Sequence, residues 1–496
     1  MDLTDNDEKI IEASHPRIRE IIHELRAEYS DLEARVRELE NRLNLNSTNS
    51  SIPPSKDPLH ARKKVYNQRV KTGKSVGGQP GHQGKNLKPK EIPDKIIECK
   101  PEICSCCGTI LPGKNLEIVE KRQVVDIPDI PLEFTEYQIF ESKCPDCNTI
   151  NKGEAPDHVT QEIQYGPRIT AFVVYLSAFQ LLPYERLTEC LSDILNCPIS
   201  PGTVDNMIQR VSTNLESFMV TLKFQLISSL VVNFDETGTK VGKRKSWLHV
   251  ACTPLLTLYG IFASRGKEAM DIFGILPEFM GVAVHDFWGS YPNYPCKHSF
   301  CNAHILRELT RTENETGQQW AVNLRSHLVR MKEIAKSYFK TEDIVPLVLL
   351  DQMSHNFSQL VAEGFAANPP PIQTEKKRGK KKQSYARNLL ERLQNYQSDI
   401  TRFLYDPLVP FDNNLAERDI RMTKLKMKIS GPFRSDKGAN AFARNRSYIS
   451  TMRKNDIPII EGLFAAALGK PWIPGSQFHS VQDTLNISIR TQLATG

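Results

Sequence analysis

The alternating segments between Leu230 and Leu309 constrain this chain more than any other feature. "LVVNFDETG" (Leu230 to Gly238) is a short β-rich run that delivers Asp235 at its end. "SWLHVACT" and "LLTLYGIF" follow as two more strand candidates, and "SRGKEAMDIFGIL" reads as a helix. "GVAVHDFWGSY" is then a buried strand ending at Asp286, and "KHSFCNAHILREL" runs from a strand into a helix. In one sheet built from this order the first and fourth strands are neighbours. Asp235 and Asp286 then stand side by side at strand ends, lining the crevice where open α/β sheets bind ligands.

This is the element order of a ribonuclease-H-like fold. Two adjacent carboxylates repel unless a cation neutralises them, and Mg²⁺ (or Mn²⁺) prefers such oxygen ligands. Two ions held this way can activate an attacking oxygen and stabilise a leaving one at phosphorus. A third carboxylate is then needed, arriving on a helix after the sheet. From His304 to about Asp406 the pattern is helical, with "EKKRGKKKQ" as its internal loop, and reads as an insertion. "DNNLAERDIR" (Asp412 to Arg421) follows, placing Glu417 131 residues after Asp286. Two readings of Glu417 stand level on sequence geometry. It can be the third carboxylate, or, with Asn414 as N-cap, the last member of an Asn-x-x-Glu capping box. Any acid on this helix can fill the role in principle. Glu236 reads as a solvated strand-end charge, and His285 and His304 as core or surface histidines. Cys301-x-x-His304 has the spacing of a metal half-site without a second half, and reads as structural.

Nearer the N-terminus, Ile18, Ile22, Leu25, Tyr29, Leu32, Val36, Leu39 and Leu43 alternate in steps of four and three. Such a seam in a charged helix predicts a dimeric coiled coil within residues 1–47. Residues 48–95 form a polar linker and a basic, Gly-rich arm containing "GGQPGHQGK". Cys104-x-x-Cys107 and Cys144-x-x-Cys147 are separated by 36 residues that include the strand-like "RQVVDIP" and "LEFTEYQIF". Four thiolates in two such knuckles describe a structural zinc ribbon over 96–155. Cys99 and Cys106 are extra, so the ligand set stays open. Over 160–228 the pattern is helical. "ERLTECLSDILNCPISPGTVDNMIQRVS" reads as helix, turn, helix, with Ser200 as N-cap and Pro201 opening the second helix. Val204, Met207, Ile208 and Val211 face inward. Thr203, Asn206, Gln209 and Arg210 face outward, a set suited to a major groove, although many helical hairpins share this pattern without touching DNA.

The net charge of +6 is modest, but it is unevenly spread. Lys56 to Lys90 holds ten Lys or Arg and one acid, among them Lys63, Lys64, Arg69 and Lys71. Arg418 to Lys454 holds eleven and two, including Arg418, Arg421, Lys424, Lys426, Lys428 and Arg434. "KKRGKKK" is a third block. Three basic segments predict a polyanionic partner, most simply nucleic acid. The acidic start "MDLTDNDEKI" has no apolar core, so no signal peptide is expected. The longest apolar run, Ile169 to Phe179, is too short to span a bilayer. Metal-bound and buried cysteines are expected rather than disulfides.

The zipper, the "GGQPGHQGK" arm, the ribbon, "FDET", "HDFWGSY", "CNAHILRE" and "DNNLAERDIR" together resemble the insertion-sequence transposases of the sixty-six type, the TnpC-like DDE transposases. The resemblance runs from the zipper to about Lys454. It implies a multidomain α+β protein, with a ribonuclease-H-like catalytic domain over 229–310 and 405–455, a helical insertion over 311–404 and a C-terminal helix and tail over 456–496. It implies Mg²⁺-dependent cleavage at terminal inverted repeats and joining to target DNA. By the same resemblance Asp235, Asp286 and Glu417 are the catalytic carboxylates, and Asn413, Asn414 and Arg418 surround them. Relatives often carry Gly after the second aspartate, where this chain has Phe287. A homodimer or larger assembly, small accessory proteins of the same element, and a cytoplasmic, nucleoid-associated prokaryotic setting are implied as well. The alternatives are a ribonuclease-H-like nuclease without strand transfer and a non-catalytic DNA-binding protein.

Overall fold

The heptad seam lies on one continuous helix, α1 (Pro16–Leu43). Pro16 fits the first turn, where its missing N–H costs nothing, and the His15 ring accepts the Arg17 N–H at 3.3 Å. The seam faces solvent, with Leu25 and Leu32 each 58% exposed. The computed structural model describes residues 11, 13–46, 49–50, 89–111, 113, 117–127, 130, 132–370 and 383–478. Most of the basic arm, with Lys63, Lys64, Arg69 and Lys71, lies outside the described residues, as do "KKRGKKK" and the tail from 479.

Each CxxC pair folds into its own tight knuckle. The Cys104 carbonyl accepts the Gly108 N–H at 3.0 Å, and the Cys104 N–H donates to the Thr109 carbonyl at 2.9 Å. Cys144, Asn148 and Thr149 repeat both bonds at 2.9 and 2.8 Å. Gly108 and Asn148 both take positive φ, as a chain reversing this sharply requires. Strands β1 (Glu141–Lys143) and β2 (Ile150–Lys152) pair antiparallel around the second knuckle. "RQVVDIP" and "LEFTEYQIF" do not form strands among the described residues. Apart from Leu132, which packs against the main core, their described apolar side chains lie open, with Val124 89% and Phe134 85% exposed. Alternation makes a strand only where a partner and a covering layer exist.

Four helices follow: α2 (Pro167–Val174), extended by a π-helical turn over Tyr175–Phe179, α3 (Tyr184–Leu195), α4 (Pro201–Asn214) and α5 (Glu216–Ile227). Ser200 caps α4 by accepting the Thr203 N–H at 3.1 Å, and Val204, Met207, Ile208 and Val211 are buried. These helices share one core with the sheet that follows. Leu187, Val204 and Phe218 pack in the same cluster as Val232, Phe234, Tyr448 and Leu463.

The sheet contains β3 (Val231–Val241), β4 (Arg244–Cys252), β5 (Thr257–Phe262), β6 (Val282–His285) and β7 (Lys297–Phe300), with α6 (Lys267–Phe273) between β5 and β6. Its order is β5-β4-β3-β6-β7. β3, β4 and β5 are antiparallel, and β6 and β7 run parallel to β3. The first and fourth strands are therefore neighbours. Asp235 is not at the end of its strand, because β3 continues to Val241 in a hairpin with β4. What ends beside Asp235 is the parallel ladder, whose last pair is Asn233 with Val284.

α7 (Asn302–Thr316), α8 (Gln319–Lys340), α9 (Leu347–Ala367), α10 (Tyr385–Asn395) and α11 (Gln397–Ile400) gather around a second core of Leu328, Met331, Phe357 and Leu390. The chain then returns to the sheet. α12 (Asn414–Ser430) packs on β3 and β4, α13 (Asp436–Lys454) on β5, and α14 (Ile459–Ala467) on α2. No helix among the described residues is long and apolar enough to cross a membrane.

Candidate active site

The β3–β6 register brings the two aspartates together. Asn233 pairs with Val284, so two residues further on Asp235 comes level with Asp286. Burial pushes the Asp235 carboxyl well above its ordinary range, and the charges of Glu236, Asp286 and Glu417 push it further. Its Oδ1 accepts the Glu236 N–H at 2.8 Å. Asp286 accepts the Trp288 N–H at 2.9 Å and pairs with Arg265 at 3.2 Å.

Glu417 is not a capping carboxylate. The N-cap is Asn413, whose side chain makes no capping bond, and Glu417 lies one residue too deep for a capping box. Its Oε1 is buried without a hydrogen-bond partner. Arg307 stands 3.9 Å from this oxygen and Arg421 4.0 Å from Oε2, both beyond hydrogen-bond range. The neighbouring acids are occupied. Asp419 accepts from Lys454 Nζ at 2.7 Å and Thr257 Oγ1 at 2.9 Å, and Asp412 accepts the Asn414 N–H at 3.1 Å. Asn413 fixes the helix start on the sheet. Its amide donates to the Phe234 carbonyl at 2.7 Å and accepts from Asn233 Nδ2 at 2.8 Å.

Glu236 is a correction to the sequence reading. Its side chain is fully buried, bound by Arg265 Nε at 2.7 Å and by the Tyr291 hydroxyl at 2.6 Å. Burial first, and then the Asp286 charge, raise it to about 7. The sheet is covered on both faces, so successive residues of β3 are both enclosed, and the second acid needs its own partner. Arg265 supplies it, spanning Glu236 and Asp286 and stacking 4.1 Å over the Trp288 ring. Nothing local in "SRGKE" signals that role. His285 is a core histidine, as expected, stacked on Tyr291 at 4.1 Å. Phe287 turns away from the carboxylates and stacks on Phe300 at 3.9 Å, so its bulk is absorbed by the helical insertion.

The family model described as "Transposase IS66 family" matches residues 162–441, more than half of the chain and all three carboxylates. The chain belongs to the IS66 transposase family. A second family model, of unknown function, matches residues 5–88. The uncharacterized protein y4hP of Sinorhizobium fredii is 21% identical over 398 residues, covering 73% of this chain and 70% of that protein.

The DNA-facing candidates of this transposase divide by exposure. At about 100° per residue, Glu417, Arg421, Lys424 and Lys428 share an arc of roughly 60° on α12. Arg421, Lys424 and Lys428 are exposed, as are Arg418 and Arg434. Lys426 is a correction, because it turns inward. Its Nζ donates to the Gly431 carbonyl at 3.0 Å and lies 3.8 Å over the Phe433 ring, and burial lowers its pKa to about 8. On α4, Asn206 and Arg210 are exposed and Gln209 is partly so, with Arg210 also donating to Thr170 Oγ1 at 2.9 Å. Within the knuckles, the Thr109 hydroxyl lies 3.3 Å from Cys107 Sγ and is the main cause lowering that thiol to about 7. Thr149 lowers Cys147 in the same way. The repeat C-x-x-C-(Gly/Asn)-Thr was visible in the sequence, and it pairs Cys104 and Cys107 with Cys144 and Cys147, leaving Cys99 and Cys106 aside. The two sulfur pairs do not form one cluster. Among the described residues the group placed to share an ion is Cys301, His304 and Glu417.

Proposed function

We propose that this transposase cuts DNA at the terminal inverted repeats of an insertion sequence and joins the freed ends to target DNA, using Asp235, Asp286 and Glu417. The observation that carries this reading is the buried Oε1 of Glu417, which has no hydrogen bond, in a carboxylate whose charge adds to the burial and the Glu236 and Asp286 charges that raise Asp235. With the Arg307 and Arg421 guanidinium groups beyond hydrogen-bond range, such a carboxylate costs stability unless a closer cation meets it. The all-oxygen donor set from β3, the end of β6 and α12 fits Mg²⁺ or Mn²⁺. When bound, a pair of such ions supplies activation of the attacking oxygen and charge neutralisation at the leaving one.

The chain's own residues position the rest. Asn413 sets the height of Glu417 above β3, and Arg265 orients Asp286. Arg421, Lys424 and Lys428 continue the Glu417 face and neutralise the phosphates of a strand laid along α12. Water attacks a phosphodiester at the element end and frees a 3′ hydroxyl, which then attacks a target phosphodiester. No covalent enzyme intermediate is required. The ribonuclease-H-like strand order supports this reading, and α1, the basic arm and α4 act as pairing and DNA-holding parts. The two knuckles each fit half of a structural Zn²⁺ site, with thiols already inclined to ionise.

The test is Mg²⁺-dependent nicking of DNA carrying the element's ends, followed by strand transfer from a pre-cut end. Wild type performs both, and Asp235→Asn and Glu417→Gln perform neither. Nicking without joining reassigns the chain as a nuclease. Unchanged Mg²⁺-dependent nicking by Asp235→Asn removes the catalytic reading.

A further inference from the structure

Beside the carboxylates stand two further donors, Cys301 and His304, that the phosphoryl chemistry leaves unused. Cys301 follows β7 and His304 lies in the first turn of α7. One donor atom each from Cys301, His304 and Glu417 lie within 4.8 Å of one another. Cys301 is fully buried. His304 Nδ1 and Glu417 Oε1 are both buried without a hydrogen-bond partner, so they do not satisfy each other. Each such buried orphan is destabilising, and a cation bound between them gives both a partner. The Asn413 N–H points at Cys301 Sγ, at 3.2 Å, and partly offsets the burial that pushes this thiol up to about 12.

We propose that Cys301, His304 and Glu417 form a binding site for a borderline-soft divalent cation such as Zn²⁺, and that its occupation withdraws Glu417 from Asp235 and Asp286. Sulfur, imidazole nitrogen and carboxylate oxygen with one open position suit zinc, whereas magnesium selects oxygen. Binding releases the Cys301 thiol proton to solvent. The site stands on its own geometry, and only its effect on catalysis rests on the function proposed above. One carboxylate shared by two cation sites makes the transposase sensitive to the ratio of zinc to magnesium.

The test uses the chelator-treated full chain titrated with Co²⁺, following bound equivalents and the thiolate-to-cobalt absorption. Cys301→Ser and His304→Ala are each expected to bind one equivalent fewer than wild type, whereas Cys104→Ser keeps that equivalent. Ser can still accept the Asn413 N–H, and circular dichroism checks that each variant is folded. Equal stoichiometry and equal spectra in wild type and both variants overturn the site. In a second arm, Zn²⁺ is added to Mg²⁺-supported nicking, each protein being compared with its own zinc-free rate. Cys301→Ser should need at least about tenfold more zinc than wild type for the same inhibition. Equal zinc sensitivity overturns the withdrawal of Glu417. A wild type that binds the extra cobalt but never nicks DNA sinks the proposed function and leaves the site standing.

Discussion

Asn413 and Asn233 are 180 positions apart in the chain and share a buried amide–amide hydrogen bond of 2.8 Å. With the 2.7 Å bond from Asn413 to the Phe234 carbonyl, it fixes the start of α12 against β3 one residue before Asp235. Asn413→Ala removes both bonds and leaves a buried amide and a buried carbonyl unpaired. The expected cost is about 2–4 kcal/mol, with a further loss of nicking in the protein that remains folded. Denaturant unfolding and single-turnover nicking measure the two separately.

Glu417 and Asp419 are two residues apart and should behave oppositely. Glu417→Gln removes a charge that repels Asp235, so nicking is lost while the midpoint of metal-free unfolding rises. Asp419→Asn breaks the largely buried pair with Lys454 and lowers stability by about 2 kcal/mol, while folded protein keeps its nicking rate. Loss of nicking in stable, folded Asp419→Asn would mean the wrong acid has been assigned.

The exposed stripe on α12 should govern salt dependence. Arg421→Ala and Lys428→Ala should each reduce the slope of log affinity against log salt by about one. Lys426→Met should leave that slope unchanged, because its ammonium is bound to Gly431 and Phe433. Fluorescence anisotropy with one duplex across a salt series distinguishes them.

His249 makes the fold acid-sensitive. It is 3% exposed, its Nε2 meets the Ser264 carbonyl at 3.2 Å, and burial lowers its pKa to about 4. The unfolded chain takes up this proton first, so stability present above pH 6.5 is lost as pH falls towards 4. The loss is about 3 kcal/mol at most. His249→Phe should flatten the melting temperature between neutral pH and pH 5, and an unaltered acid slope would count against this assignment.

The open seam of α1 should associate. Leu25→Glu with Leu32→Glu places charge at two seam positions and should shift sedimentation toward the monomer.

Much of the fold was legible because period and order are local properties. The seven-residue seam, the strand candidates from Leu230 and the helical insertion each announce themselves within a short window. The adjacency of Asp235 and Asp286 also followed, since the element order leaves few sheet topologies open. The strands expected between the knuckles were misread because alternation cannot reveal whether a covering layer exists. Lys426 was misread because a basic run does not say which way each side chain turns.

Local pattern sets out the sheet strands, most of the helices, their order and the family, and offers Asp235, Asp286 and Glu417 as candidate acids. Packing in three dimensions shows which acid on α12 keeps an oxygen without a hydrogen bond, that Glu236 is buried against Arg265, and that Cys301 and His304 gain Glu417 as a third member. Hydrogen-bond satisfaction is settled between residues distant in the chain. Lys454 and Thr257 occupy Asp419, and nothing within hydrogen-bond range occupies Glu417 Oε1.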